Sequence, residues 1–280
     1  MRALPTAVMV GAALAVAGCG DDEDSKESSD APAGPASLMI EATGSGKNLK
    51  LSAPKTAEAG LTKITLKNGT DKPRTLQLIR VDEGHTAQEG LKAGNAWGSD
   101  GKPLPAWAHA AGGVTPTEPG ASGSSTQQLP PGKYAAVDLD AEPPPTAFFE
   151  VTGEPSDAQL PAPAARIDAT EYAFTASGLK AGKQQVLIDN KGAEPHFVAA
   201  TPIKDGKTLA DVKKFLRTEK GEPPIDEKNG TATPVLDGKE SQVVDLELKA
   251  GNYALLCFVP DRKGGPPHVV KGMISDATVE

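Results

Sequence analysis

The sequence predicts an all-β protein: two tandem Greek-key β-sandwich domains with one short helix each. Three observations carry that expectation. Apolar residues alternate over short runs closed by Gly, Pro or Asn, as in residues 64–66, 76–78, 186–188 and 243–248. Thirty glycines and 25 prolines punctuate 280 residues, which leaves little room for long helices. The chain also repeats itself. Residues 59–68 match 181–190 at an offset of 122, so that Pro73 falls on Pro195. Gly132-Lys133-Tyr134-Ala135 matches Gly251-Asn252-Tyr253-Ala254 at an offset of 119, and Ile40-Glu41-Ala42-Thr43 matches Ile167-Asp168-Ala169-Thr170.

From the start of the chain, residues 1–18 read as a signal peptide, with one Arg and an apolar run at 7–17 too short to span a bilayer. Their end, Val16-Ala17-Gly18-Cys19, resembles the lipobox of bacterial lipoproteins. The resemblance implies lipidation of Cys19 and a protein anchored at the extracytoplasmic face of the cell membrane. The alternative is an ordinary secretory signal followed by a chance cysteine. Residues 19–36 are acidic and serine-rich, then rich in Ala, Pro and Gly. They cannot bury enough surface to offset their ordering entropy and are expected to form a disordered tether.

The two copies of the repeat occupy about residues 37–153 and 164–280, joined by a Pro-rich linker at 154–163. Within the second copy, residues 208–216 place Leu209, Val212, Phe215 and Leu216 on one helical face, and residues 86–93 are a weaker counterpart in the first. The formal charge is −8 with no Lys/Arg cluster. That balance argues against nucleic acid and against an anionic membrane surface, so membrane contact is expected through the lipid alone.

Cysteine is the most discriminating count. With Cys19 assigned to the lipid, Cys257 is a lone thiol in an exported setting, either buried and inert or ligated. It ends an apolar run, and after a Gly- and Pro-rich loop come His268 and, five residues on, Met273. Thiolate, imidazole and thioether are donors that copper prefers, and His196, after the turn at residues 190–195, supplies a second imidazole. The repeat offers an internal control: His196 aligns with Arg74 and Cys257 with Asp138, so the first copy keeps the scaffold without the ligands. Of the remaining histidines, His85 reads as solvent-facing and His109 as an ordinary loop residue. No serine-nucleophile, carboxylate-pair or phosphate-loop constellation stands out, and four histidines are too few for a multicopper catalyst, so no enzyme is expected.

Cys257-x-x-Pro260, His268, Gly272-Met273 and an upstream His196 after an Asn-x-Gly turn together resemble the cupredoxins, the blue copper proteins. The His-x4-Met spacing is similar to plastocyanin, while the ten-residue gap between Cys257 and His268 is nearer the long ligand loop of copper nitrite reductases. The sequence departs from many cupredoxins in placing Phe197, not Asn, after the first His. The resemblance implies one type 1 copper ion held by His196, Cys257, His268 and Met273. It also implies a surface-near His268 that passes one electron to a redox protein partner; a monomer is expected. A copper scavenger and a metal-free β-sandwich interaction module are the alternatives.

Overall fold

Buried and exposed side chains alternate along β1 (Ala36–Thr43), where Leu38, Ile40 and Ala42 enter a core. The same period lays out the rest of the first half in this computed structural model, which describes residues 34–280. Its strands are β2 (Lys50–Ser52), β3 (Thr56–Glu58), β4 (Gly60–Gly69), β5 (Arg74–Val81), β6 (Ala108–Thr117), β7 (Ser122–Leu129), β8 (Gly132–Asp138) and β9 (Thr146–Thr152). The second half comprises β10 (Ala165–Thr170), β11 (Ala173–Ser177), β12 (Gly182–Asn190), β13 (Ala199–Pro202), β14 (Thr231–Ala232), β15 (Ser241–Leu248), β16 (Gly251–Leu256) and β17 (Ile274–Val279). The expected signal segment and Cys19, with most of the tether, lie outside the described residues.

Each half is a two-layer β-sandwich. In the first, β2-β1-β4-β7 packs on β3-β9-β8-β5-β6, with Leu38, Ile64, Leu76, Tyr134 and Phe149 between the layers. In the second, β11-β10-β12-β15 packs on β14-β13-β16-β17 around Ile167, Val186, Leu246, Tyr253 and Leu255. The repeat in sequence is a repeat in space. Gly60↔Leu129 between β4 and β7 recurs as Gly182↔Leu248 between β12 and β15. The parallel pair Ile40↔Leu66 recurs as Ile167↔Ile188, and Gly132↔Val151 recurs as Gly251↔Val279. Tyr134 and Tyr253 are equivalent too: both are buried, and each hydroxyl donates to the carbonyl four residues upstream, Pro130 or Lys249.

The halves share a sheet. β7 pairs with β15 at Gln127↔Gln242, which joins the two outer layers into one sheet of eight strands. The linker is tied down along it, with Gln128 Nε2 donating to the Ala158 carbonyl at 2.6 Å.

Helices α1 (Ala87–Asp100) and α2 (Leu209–Thr218) fill corresponding crossovers. Both begin with a capping box, Thr86 with Glu89 and Thr208 with Asp211. Helix α1 runs seven residues beyond the end expected at Ala93. Gly94, Asn95 and Gly98 are poor helix formers, and the extra turns are anchored instead by packing of the buried Trp97. No helix among the described residues is long and apolar enough to cross a membrane.

Candidate metal centre

His196 is placed by an asparagine. The Asn190 side chain, at the end of β12, donates through Nδ2 to the carbonyls of Glu194 and Asp237 at 2.9 Å and accepts the Gly192 N–H at 3.0 Å. These bonds close the turn and deliver His196 beside Leu236, with which it exchanges two backbone hydrogen bonds of 2.9 and 2.8 Å. Asn68 does the same in the first half, bonding Lys72 and Thr117 carbonyls and the Thr70 N–H.

Cys257 follows β16 directly, and the loop after it folds back on its own start. The Val269 N–H donates to the Cys257 carbonyl at 2.7 Å and the His268 N–H to Val259 at 2.9 Å. The Met273 N–H then donates to the His268 carbonyl at 2.9 Å, just before β17. All four expected ligands are buried.

His196 Nδ1, His268 Nδ1 and Cys257 Sγ form a triangle with sides of 3.0, 3.5 and 3.8 Å. Bonds of about 2.0 Å to nitrogen and about 2.3 Å to sulfur put donors around one ion roughly 3–4 Å apart, so the triangle fits a single metal ion. Met273 is buried in the same apolar cluster as Cys257.

Protonation agrees with that fit. His268 Nε2 lies 3.0 Å from Asp261 Oδ1, and a carboxylate only accepts, so the ring proton sits on Nε2 and Nδ1 turns a lone pair toward the triangle. Asp261 Oδ1 also accepts from the Tyr172 hydroxyl at 3.0 Å, and its other oxygen is paired with Lys271. Burial works to raise the Asp261 pKa, but hydrogen bonds from Lys271, Tyr172 and His268 outweigh it and keep the carboxyl ionised below its ordinary range. Burial, helped by the neighbouring His268, pushes His196 down to about 4, and burial pushes the Cys257 thiol up to about 11 despite N–H groups of Phe197 and Val259 bonding the sulfur. His196 Nε2 is buried without a partner. Without a cation the pocket therefore favours neutral imidazoles and a thiol. A bound cation would reverse the balance for sulfur and release its proton.

Several expectations change. His268 is not itself exposed: its exposure is 0 %, because a single layer of partly exposed side chains, Tyr172, Asp261 and Lys271, covers it. Phe197, where many cupredoxins have Asn, works through its backbone N–H to lower the Cys257 pKa, but burial outweighs it and the sulfur stays a thiol. His109 lies in β6 and reaches the second half, with Nδ1 3.0 Å from Asp237 and Nε2 3.0 Å from Asp82. His85 stacks on Trp107 with 4.0 Å between ring centres. In the first half, the Leu76↔Asp138 pairing corresponds to Val198 beside Cys257, one step beyond Ala199↔Leu256. There Arg74 and Asp138 form a buried ion pair.

Asp261 and Tyr172 were not marked by the sequence motif, whereas Asn190 stands in it as the first residue of the Asn-x-Gly turn before His196. Its bracing role was open to the same reading, since it closes the repeated block that also ends in Asn68. Asp261 stands in the long loop between β16 and β17, which has no counterpart of that length in the first half, and Tyr172 stands in the turn between β10 and β11; no spacing points to either.

No family model matches the chain, and no curated protein does. Among solved structures, auracyanin B is similar over 45 % of this chain and 95 % of its own, at 22 % identity and a TM-score of 0.28. A reduced auracyanin from the photosynthetic bacterium Roseiflexus castenholzii covers 41 % of this chain and 94 % of its own, at 22 % identity and a TM-score of 0.28. A copper nitrite reductase from Nitrosomonas europaea covers 88 % and 94 %, at 11 % identity and a TM-score of 0.24. Superpositions this loose assign neither family nor function.

Proposed function

We propose that the protein is a cupredoxin-like carrier of single electrons that uses one copper ion of type 1. The observation that supports it most is the buried convergence of two imidazole Nδ1 atoms and one thiol on a point sized for a metal ion. A thiolate with two imidazoles suits both oxidation states of copper, and a buried thioether such as Met273 is the usual weak fourth donor. Copper would supply the reversible one-electron couple. The chain's own residues hold the donors still: Asn190 fixes His196, Asp261 fixes His268, and the Val269 N–H holds the backbone of Cys257 through its carbonyl.

Carriage is favoured over delivery or catalysis. Delivery calls for donors that a partner can reach, and here the donors are buried. The other two histidines are engaged elsewhere, by Trp107 and by Asp82 with Asp237, which leaves none for a second copper site. Electrons would pass through the groups that cover His268. Tyr172 is the first of them: half-buried, its ring edge-on to the imidazole at 5.2 Å, and its backbone held in the left-handed region at φ 65°. The partner is taken to be a redox protein, and the chain to be held at the outer face of a bacterial cell membrane by a lipid on Cys19.

A redox titration of the copper-loaded chain tests this reading. One reversible one-electron couple, with the oxidised spectrum recovered on each cycle, is expected. Loss of the metal on reduction would point instead to a delivery protein.

A further inference from the structure

The first half has lost its own ligand set, yet it reaches the second half's ligand loop at one place. The Trp97 indole N–H, on α1, donates to the backbone carbonyl of Asp261 at 2.9 Å. Asp261 is the residue whose carboxylate fixes His268. Beside it, the Arg262 carbonyl accepts the Leu104 N–H at 2.7 Å, and the Arg262 guanidinium donates to the carbonyls of Pro105 and Ala108 at 2.9 Å. The same guanidinium pairs with Asp237. Val259, two residues after Cys257, packs into the apolar cluster of Trp97, Leu104 and Ala108.

Helix geometry makes that reach possible. A Cβ on Gly90 would come within 2.4 Å of Val81 Cγ1, so only glycine lets α1 lie this close to β5. At the far end of the contact, Gly264 has a φ of +82°, and a Cβ there would come within 2.4 Å of the Gly101 carbonyl oxygen. The ligand loop thus lies against the C-terminal end of α1, backbone on backbone. In the first half's own equivalent loop, between β8 and β9, nothing of this length exists to grip.

We propose that the first half is the outer clamp of the metal centre, and that Trp97 is a positioning residue acting on His268 through Asp261. The inference rests on the reading of the site as a copper centre. It assigns a task to the copy that lost its ligands: holding a seventeen-residue ligand segment, 257–273, along its first half, between Val259 and Gly264. A ligand loop this long has many conformations to lose, and a fixed carbonyl at Asp261 removes them before the metal arrives.

The test uses the full chain with Trp97→Phe, which keeps the ring and deletes the N–H, and Asp261→Asn, alone and combined. Competition titration with copper(II) is the first readout. Asp261→Asn should weaken binding about 10- to 100-fold, and Trp97→Phe by about tenfold, the lower end of that range. Together they should lose little more than Asp261→Asn alone, because both act on one imidazole. Arg262→Lys, which loosens the same loop through other contacts, should fall in line with Trp97→Phe. The second readout needs no metal: nitrogen NMR of the His268 ring should show the Nε2–H form in the wild type, with faster proton exchange in Trp97→Phe. Wild-type affinity and ring exchange in Trp97→Phe, or losses that add in full, would overturn the clamp. If the wild type takes up no copper, the metal reading falls, and the ring exchange still decides whether Trp97 governs His268.

Discussion

Arg74 and Asp138 form an ion pair, Nη1 to Oδ2 3.4 Å, with both side chains less than 5 % exposed. They occupy the places that His196 and Cys257 take in the second half. One scaffold position thus carries two solutions to the same problem, a polar pair inside a sandwich. In one half the charges compensate each other, with Arg74 Nε held by Thr70 at 3.0 Å and Asp138 Oδ1 accepting the Asp140 N–H at 3.0 Å. In the other half burial keeps His196 and Cys257 neutral instead.

The ion pair should behave as a stability element of the first half. Burial is the main reason the Asp138 pKa is raised, so the charge sits there at a cost that only Arg74 and the Asp140 N–H offset. Arg74→Met alone should cost about 3–5 kcal/mol, because it strands a buried carboxylate. Arg74→Met with Asp138→Leu should recover most of that loss. Urea unfolding of Arg74→Met, Asp138→Leu and the double variant measures it, and a double variant as unstable as the sum of the singles would contradict the pairing.

Acid sensitivity should trace to the contact between the halves. Burial works to raise the Asp237 pKa, but bonds from His109 and Arg262 outweigh it, leaving the folded value below the ordinary 3.8. As pH falls, the unfolded carboxylate takes up its proton first, so this group's contribution is complete above 3.8 and is lost progressively below it. Asp237→Asn should cost about 1.5–3 kcal/mol at neutral pH and flatten the stability curve below pH 3.8. The same curve in both proteins would mean that Asp237 is not ionised in the fold.

Met273 tests the fourth donor. It is buried, and Leu matches its volume, so Met273→Leu should cost less than about 1.5 kcal/mol. The copper complex should keep its colour while its reduction potential shifts, since the axial donor acts mainly on the potential. An unshifted potential in protein-film voltammetry would remove Met273 from the ligand set.

The proposed anchor is tested by Cys19→Ser, which should leave the membrane fraction or remain unprocessed. A variant that matures and fractionates like the wild type would contradict lipidation at Cys19.

How much of this was legible in the sequence can be read from particular residues. The repeat carried the fold because its offsets are also the offsets of strand register, as Gly60↔Leu129 and Gly182↔Leu248 show. His196, Cys257 and His268 were legible because donor chemistry is written in residue type, and the structure brings those three together. The burial of His268 was not, since it depends on Tyr172 and Lys271, 96 residues before and three after, closing over it through Asp261. The shared eight-stranded sheet escaped too. The pairing of β7 with β15 uses Gln127 and Gln242, polar residues on strands whose alternation looks the same at an edge and in the middle of a sheet.

The absorption spectrum of the full-length protein with one equivalent of copper(II) tests the central proposal most directly. A bond between Cys257 sulfur and copper(II) should give an intense blue colour at one ion per chain, and Cys257→Ser, whose hydroxyl is a hard and poor donor, should abolish it. A colourless copper complex, or a blue one that survives Cys257→Ser, would contradict a copper centre built on His196, Cys257 and His268.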